Sequence, residues 1–361
     1  MVFRYNYNMV SITRIYRSRF TGGVPASRNL AVAALVFLLL FCGPARTSFS
    51  AAIEPVHGGP SLTGEHAGPE NTYFQGPLRV MTLNMAHGRK TAFSQIYLSW
   101  QTIHANLMGI GAVLKSTKAD IVALQEADGP SWWSGNFDHV ALLADTAGYP
   151  WFARAGYMNA WALDYGAALL SRRPFLETRA HRLKKFLVFP SKGFLLGRFG
   201  WYPQGEASGK PVFIDIVSIH LGFSRSAVRN RQLVEMRAVL ADRHNPLIIL
   251  GDFNTDWLAD ASVVRELTRK TGLQVYRPEA VDMETYGSRR LDWILISADL
   301  EFLNYEVIPD IISDHRGIKA VIGYRGPKAQ RSKGPRGSVF ALRASPDKQG
   351  GKGEKHQNHT P

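Results

Sequence analysis

The chain alternates between short, continuously apolar runs and longer stretches in which apolar positions recur every three or four residues. The runs are "LRVMTLNMA" from Leu78, "ADIVALQEAD" from Ala119, "YGAALLS" (165–171), "VFIDIVSIHL" (212–221), "PLIILGDFN" (246–254) and "LDWILIS" (291–297). Their length and β-branched content predict strands. Helical spacing predicts helices over Thr102–Ser116, Ser224–Asp242 and Ala259–Thr271. Strands that are apolar at successive positions must be covered on both faces, so the pattern predicts an α/β layered fold with buried sheets. No internal repeat of fixed period is visible.

Several apolar runs stop at a side chain able to bind a metal or donate a hydrogen bond. Asn84 follows "VMTL", Glu126 follows "IVALQ", His220 follows "IVSI", Asp252 and Asn254 follow "IIL" within "GDFN", and Asp314 and His315 follow "PDIIS". One such ending is an ordinary solvated strand terminus. Several gathered on one sheet edge form a floor, because rigid elements hold the side chains in place.

The motifs "TLNMAHG", "LQEAD", "VSIHLG", "LGDFNT", "RLDWILIS" and "SDHRGI" occur in the order and approximate spacing of the endonuclease/exonuclease/phosphatase superfamily, which the chain resembles over about residues 78–324. The resemblance implies a four-layered α/β sandwich, two mixed β-sheets packed face to face with helices outside. It implies Mg²⁺, with Mn²⁺ as a substitute, held by Glu126, Asn84 and Asp314, since hard carboxylate and amide oxygens suit that ion. Asp252 and Asn254 resemble the pair that positions the attacking water and a phosphoryl oxygen. His315 looks like the histidine at the scissile phosphate and Asp292 like its carboxylate partner, which would fix the ring tautomer and raise its pKa. His220 is similar to a second donor or acid near the leaving group. Asn84, His87 and Asn254 are expected to touch substrate. The reaction implied is in-line attack of water on phosphorus.

Charge alters this picture little. The formal net charge is +14, but residues 1–28 carry five arginines and no acid, and residues 325–361 carry nine Lys/Arg against two acids, which leaves the body nearly neutral. Residues 1–50 combine a basic segment with the apolar run "LAVAALVFLLLFC" (30–42) ahead of small residues, the pattern of a signal peptide or signal anchor. An exported or membrane-anchored protein is therefore expected. Residues 51–77 read as a disordered linker, 78–324 as the catalytic domain and 325–361 as a basic disordered tail. Cys42 is the only cysteine, so neither a disulfide framework nor thiolate catalysis is expected.

The substrate is open at this level: a lipid headgroup, a small phosphoester or, for a secreted nuclease, nucleic acid. A catalytically dead binding protein is a third reading. Residues 184–203, "KKFLVFPSKGFLLGRFGWYP", read as a packed hairpin, as an interfacial loop touching a membrane surface, or as a base-stacking platform, and Trp132 and Trp133 share those three readings. No protein partner is implied.

Overall fold

A computed structural model of the chain describes residues 51–59, 72–160, 163–184, 191–205 and 209–326. The apolar run 30–42 and the tail from 327 lie outside the described residues. Among the described residues, no helix is long and apolar enough to cross a membrane.

Two mixed sheets form the body. The first has the order β1 (Ala51–Ile53), β8 (Glu177–Arg182), β9 (Gly193–Tyr202), β10 (Val212–His220), β11 (Leu247–Asp252), β13 (Asp292–Ile296), β12 (Gln274–Val275), with β3 (Phe74–Gln75) joined to β9. The second has the order β14 (Leu300–Val307), β15 (Ile318–Tyr324), β4 (Leu78–Asn84), β5 (Ile121–Asp128), β7 (Leu163–Ser171), β6 (Trp151–Ala160), β2 (Val56–Gly58). Each sheet contains one parallel pair joined through a helix. In one, β4 passes through α1 (Trp100–Thr117) to β5, and in the other β10 passes through α3 (Ser226–Val239) to β11. The remaining helices are α2 (His139–Ala147) and α4 (Val263–Thr271).

Strand alternation explains the layers. Val80, Ile121, Ala123, Ile216, Ile248 and Ile294 meet in the core between the sheets. Their immediate neighbours point the other way: Met81, Val122 and Leu124 pack beneath Leu107 of α1 and Leu143 of α2. Val217, Ile249 and Leu295 pack beneath Met236 of α3 and Leu267 of α4. A side-chain period of two thus places the apolar residues of each of these strands in one of two hydrophobic layers, which is why they read as apolar runs in the sequence.

Helix ends are set by local chemistry. Ser99 caps α1 by accepting from the Thr102 N–H at 3.2 Å, and Asp138 caps α2 by accepting from the N–H groups of Val140 and Ala141.

Two expectations need correction. The stretch 51–77 is not simply a linker: β1 pairs with β8, β2 with β6 and β3 with β9, so residues 51–58 extend an edge of each sheet and the body reaches beyond Leu78. For residues 191–203 of the segment 184–203, the packed-hairpin reading replaces the interfacial-loop one. Phe194, Leu195, Leu196, Phe199 and Trp201 are buried in β9, an interior strand flanked by β8 and β10, and are not available to a membrane or a base. Residues 185–190 of that segment lie outside the described residues.

Gly251 is a tight point of the scaffold beside the site. Its φ is +147°, and a Cβ there would stand 2.0 Å from the carbonyl oxygen of Ile219 on the neighbouring parallel strand. Gly251→Ala should therefore strain the backbone by about 2 kcal/mol. In calorimetry this corresponds to a Tm lower by about 4–8 °C for a domain of this size. An unchanged Tm would contradict this close approach.

Candidate active site

The inward-facing positions change character toward the end of each parallel pair. Val80 is followed on the same face by Thr82 and Asn84, Ala123 by Gln125, Ile216 by Ser218 and His220, and Ile248 by Leu250 and Asp252. Thr82, Gln125 and Ser218 form a buried polar layer that ties the two sheets together. The Thr82 hydroxyl donates to Gln125 Oε1 at 3.2 Å, Gln125 Nε2 donates to Ser218 Oγ at 3.1 Å, and the Ser218 hydroxyl donates to the Leu124 carbonyl at 3.2 Å. The ionisable groups sit on top of this layer.

Glu126 reaches them through a break in alternation. A register shift between Gln125 and Ala127, with Glu126 at φ +51°, lets both Gln125 and Glu126 face the opposite sheet. Around the Glu126 carboxylate lie His87 Nε2 at 3.2 Å, Lys192 Nζ at 3.5 Å and His220 Nε2 at 4.0 Å. Burial works to raise its pKa, but the charges of His87 and Lys192 prevail and hold it well below the usual carboxylate range.

Asp252 is the most heavily bonded acid of the site. It accepts from Asn84 Nδ2 at 3.0 Å, from the backbone N–H of Asn254 at 2.8 Å and from Asn254 Nδ2 at 3.1 Å, and His220 Nε2 lies 3.4 Å away. The left-handed backbone of Asn254, φ +51°, folds its N–H back onto that carboxylate. Burial, reinforced by the nearby Asp292, pushes Asp252 up to about 7 against the opposing charge of His315. Asp252 and Asp292 face each other in register across β11 and β13.

His315 stands beyond the strand ends, before β15. Its Nδ1 is 2.7 Å from Asp292 Oδ2, and Tyr286 packs on its ring with centroids 4.7 Å apart. Ser313, two residues earlier, donates its hydroxyl to the Asn84 carbonyl at 2.7 Å and so ties this loop to β4. Burial opposes ionisation of the ring, but Asp292, with Asp252 and Asp314, pushes its pKa up to about 10. His220 goes the other way: burial and the charge of Lys192 hold it neutral, well below the ordinary histidine value. It is therefore a neutral hydrogen-bonding group.

The structure brings Asn84, Glu126, His220, Asp252, Asn254, Asp292 and His315 together and moves three assignments. Asn84, expected on the metal and the substrate, donates its amide to Asp252, its own Oδ1 accepting from the Ala86 N–H at 3.1 Å. His87 stands behind Glu126, with Nδ1 bonded to Asp128 at 2.7 Å and its ring set edge-on to Tyr165 and Trp133, so it positions that glutamate. Asp314 is paired with Arg89 instead of facing Glu126. Sequence reasoning missed Lys192, a buried lysine whose Nζ is 2.9 Å from His220 Nε2. The signal was a lysine beside a glycine at the mouth of an apolar strand. Gln125 was seen only as a strand end.

Among the described residues, one Asp/His group brings ligand atoms within 4.8 Å of one another: Asp252, Asp292 and His315. The 2.7 Å Asp292–His315 bond and the cationic state of that histidine make it a hydrogen-bonded unit rather than a ligand set. Glu126 fits a divalent cation better. It is firmly ionised, and its neighbours stand at 3.2–4.0 Å, longer than a strong charge-assisted hydrogen bond. Its hard oxygen donors suit Mg²⁺.

Residues 81–315 match the sequence profile of the Endonuclease/Exonuclease/phosphatase family. No curated protein sequence matches closely enough to count as a relative. Solved structures share the fold at low identity. A functionally unknown conserved protein from Enterococcus faecalis V583 has a TM-score of 0.52 at 14% identity, over 68% of this chain and 100% of that one. The human Nocturnin catalytic domain with bound sulfate anion has a TM-score of 0.51 at 17% identity, over 70% of this chain and 96% of that one. An endonuclease/exonuclease/phosphatase from Bacteroides vulgatus has a TM-score of 0.51 at 17% identity, over 69% and 99%. With two mixed sheets, helices outside and an acid–histidine floor at one sheet edge, the chain belongs to the endonuclease/exonuclease/phosphatase family of hydrolases acting on phosphoester bonds.

Proposed function

We propose that the protein is an exported, Mg²⁺-dependent hydrolase of a phosphodiester or phosphomonoester, a lipid headgroup or a small molecule, that works by in-line attack of water on phosphorus. The observation that carries this reading is geometric: Asp252, bonded by Asn84 and Asn254, lies within one buried cluster with the hydrogen-bonded Asp292–His315 pair, and burial pushes the Asp252 carboxyl up while Asp292 pushes the His315 imidazole up. At neutral pH one is poised to accept a proton and the other is held ready to donate one. The nearly neutral body favours such a substrate over a long polyanion.

Asp252, fixed by Asn84 and Asn254, orients the water and takes its proton as the oxygen attacks. With Nδ1 committed to Asp292, His315 presents Nε2 to a phosphoryl oxygen and stabilises the charge that develops there. Lys192 and neutral His220 stand across from it as further donors to the phosphoryl group. Glu126 would hold Mg²⁺, and the ion would neutralise phosphoryl charge. His87, braced by Asp128, keeps the glutamate in place. The phosphorus–oxygen bond to the leaving alcohol breaks as the bond to water forms, so no covalent enzyme intermediate is needed.

Turnover of an aryl phosphodiester should be abolished by a chelator, restored by Mg²⁺, and reduced about 10²–10⁴-fold in Asp252→Asn. Steady-state rates of the purified chain check this, and chelator-insensitive turnover would overturn the metal reading.

The pH profile of kcat/KM should rise through about 7 as Asp252 ionises and fall through about 10 as His315 loses its proton. The imidazolium is present below its pKa and lost above it. Asp292→Asn removes the partner that raises that pKa and should move the alkaline limb to lower pH. Because the two residues act as one unit, Asp292→Asn and His315→Ala should combine less than additively. An unmoved alkaline limb with fully additive losses would mean they act independently.

A further inference from the structure

The loops that follow β4 and β5 leave large apolar side chains in solvent on the edge that carries the site: Phe93 (81% exposed), Ile96 (56%), Tyr97 (70%), Trp100 (56%) and Trp132 (58%). They form one surface. The short helical turn Gln95–Tyr97 lies against the turn Trp132–Ser134, and a Cβ on Gly135 would stand 3.0 Å from that of Trp100. This differs from β9, where the aromatic residues singled out in the sequence are buried.

The surface is held in place. Beneath it Gln95 is buried and Leu98 is packed against the core under α1. Asn106 donates to the Gly88 carbonyl at 2.9 Å, and Arg89 donates to the Ala92 carbonyl at 2.5 Å while pairing with Asp314, the neighbour of His315. The apolar loop is thus tied to both the Asn84 strand end and the His315 loop.

We infer that this surface docks on an anionic phospholipid bilayer, seating Phe93, Ile96, Tyr97, Trp100 and Trp132 at the headgroup–acyl boundary. From Met85 to Ala119 the chain has no Asp or Glu, and Lys90 is exposed within the apolar loop, so nothing there repels an anionic surface. Trp, Tyr, Phe and Ile spaced by Ser, Thr and Gln is the composition that sits at a membrane interface. A nucleic-acid backbone would need several cations along the patch. A stable protein partner would need about 800 Å² of complementary surface, more than a handful of protruding side chains supplies. The docking extends the proposed function, since it would bring headgroup phosphoesters to the site, but it is measured without turnover. Its failure would leave the hydrolase reading intact.

The test uses the full chain with Cys42→Ser and a polarity-sensitive dye on Tyr97→Cys. A second protein carries the dye on Lys118→Cys, exposed at the opposite end of β5. Vesicles of phosphatidylglycerol and phosphatidylcholine should shift the Tyr97→Cys emission to the blue, and nitroxide lipids should quench it. The Lys118→Cys emission should not respond, so binding through any other segment does not mimic the result. Adding Phe93→Ser, Ile96→Ser and Trp100→Ser should abolish the Tyr97→Cys shift while leaving turnover of a soluble aryl phosphodiester unchanged. No shift at Tyr97→Cys, equal shifts at both sites, or a response to a single-stranded oligonucleotide with none to vesicles would overturn the inference.

Discussion

The molecule depends on one constraint: two sheets packed face to face share a single interior, and that interior must change from apolar to polar along the strands. Over most of its length it is filled by Val80, Ile121, Ile216, Ile248 and their neighbours. At the level of Thr82, Gln125 and Ser218 it becomes a hydrogen-bonded layer in which Thr82 bonds Gln125 within one sheet and Gln125 and Leu124 bond Ser218 across to the other. A buried amide and two buried hydroxyls without those partners would each cost a few kcal/mol. The layer therefore fixes how the sheets are aligned, and with it the distance from Glu126 on one sheet to His220 and Asp252 on the other. The Gly251 approach sets the spacing of β10 and β11 in the same way.

Above that layer, burial sorts the ionisable groups by their partners. Each of the central groups loses water, and what differs is the charge beside it. Glu126 has histidines and a lysine around it and stays ionised. Asp252 has Asp292 next to it and rises to about 7. His315 has three carboxylates and stays protonated, while His220, beside Lys192, does not. Two acids and two histidines in one small volume thus take four different roles, which is what a site that moves a proton and stabilises an anion requires.

Much of this was legible in the sequence, for a physical reason. Strands buried on both faces must be continuous apolar runs, so the residue at which a run stops is visible, and Asn84, Glu126, His220 and Asp252 are such residues. Pairings between distant segments were less legible. Asn84 is expected from the sequence on the metal and the substrate, and only the alignment of the sheets brings it to Asp252. Asp314 sits beside His315 in sequence, but the side chains diverge and Arg89 takes the carboxylate. Lys192 carries no periodic signal because its role comes from where its ammonium ends, beside Glu126 and His220 from two distant strands. The aromatic residues of β9 and of the loop around Tyr97 have similar compositions and opposite fates. The difference lies in strand pairing, which local composition does not encode.

On the proposed function, one edge of the inter-sheet interior is a metal–phosphate site built on Glu126, Asp252 and His315. Anomalous diffraction from crystals grown with Mn²⁺ tests this assignment. An anomalous peak is expected at coordination distance from the Glu126 carboxylate, lost in crystals of Glu126→Gln. A peak elsewhere, with none at Glu126 under the same conditions, would contradict it.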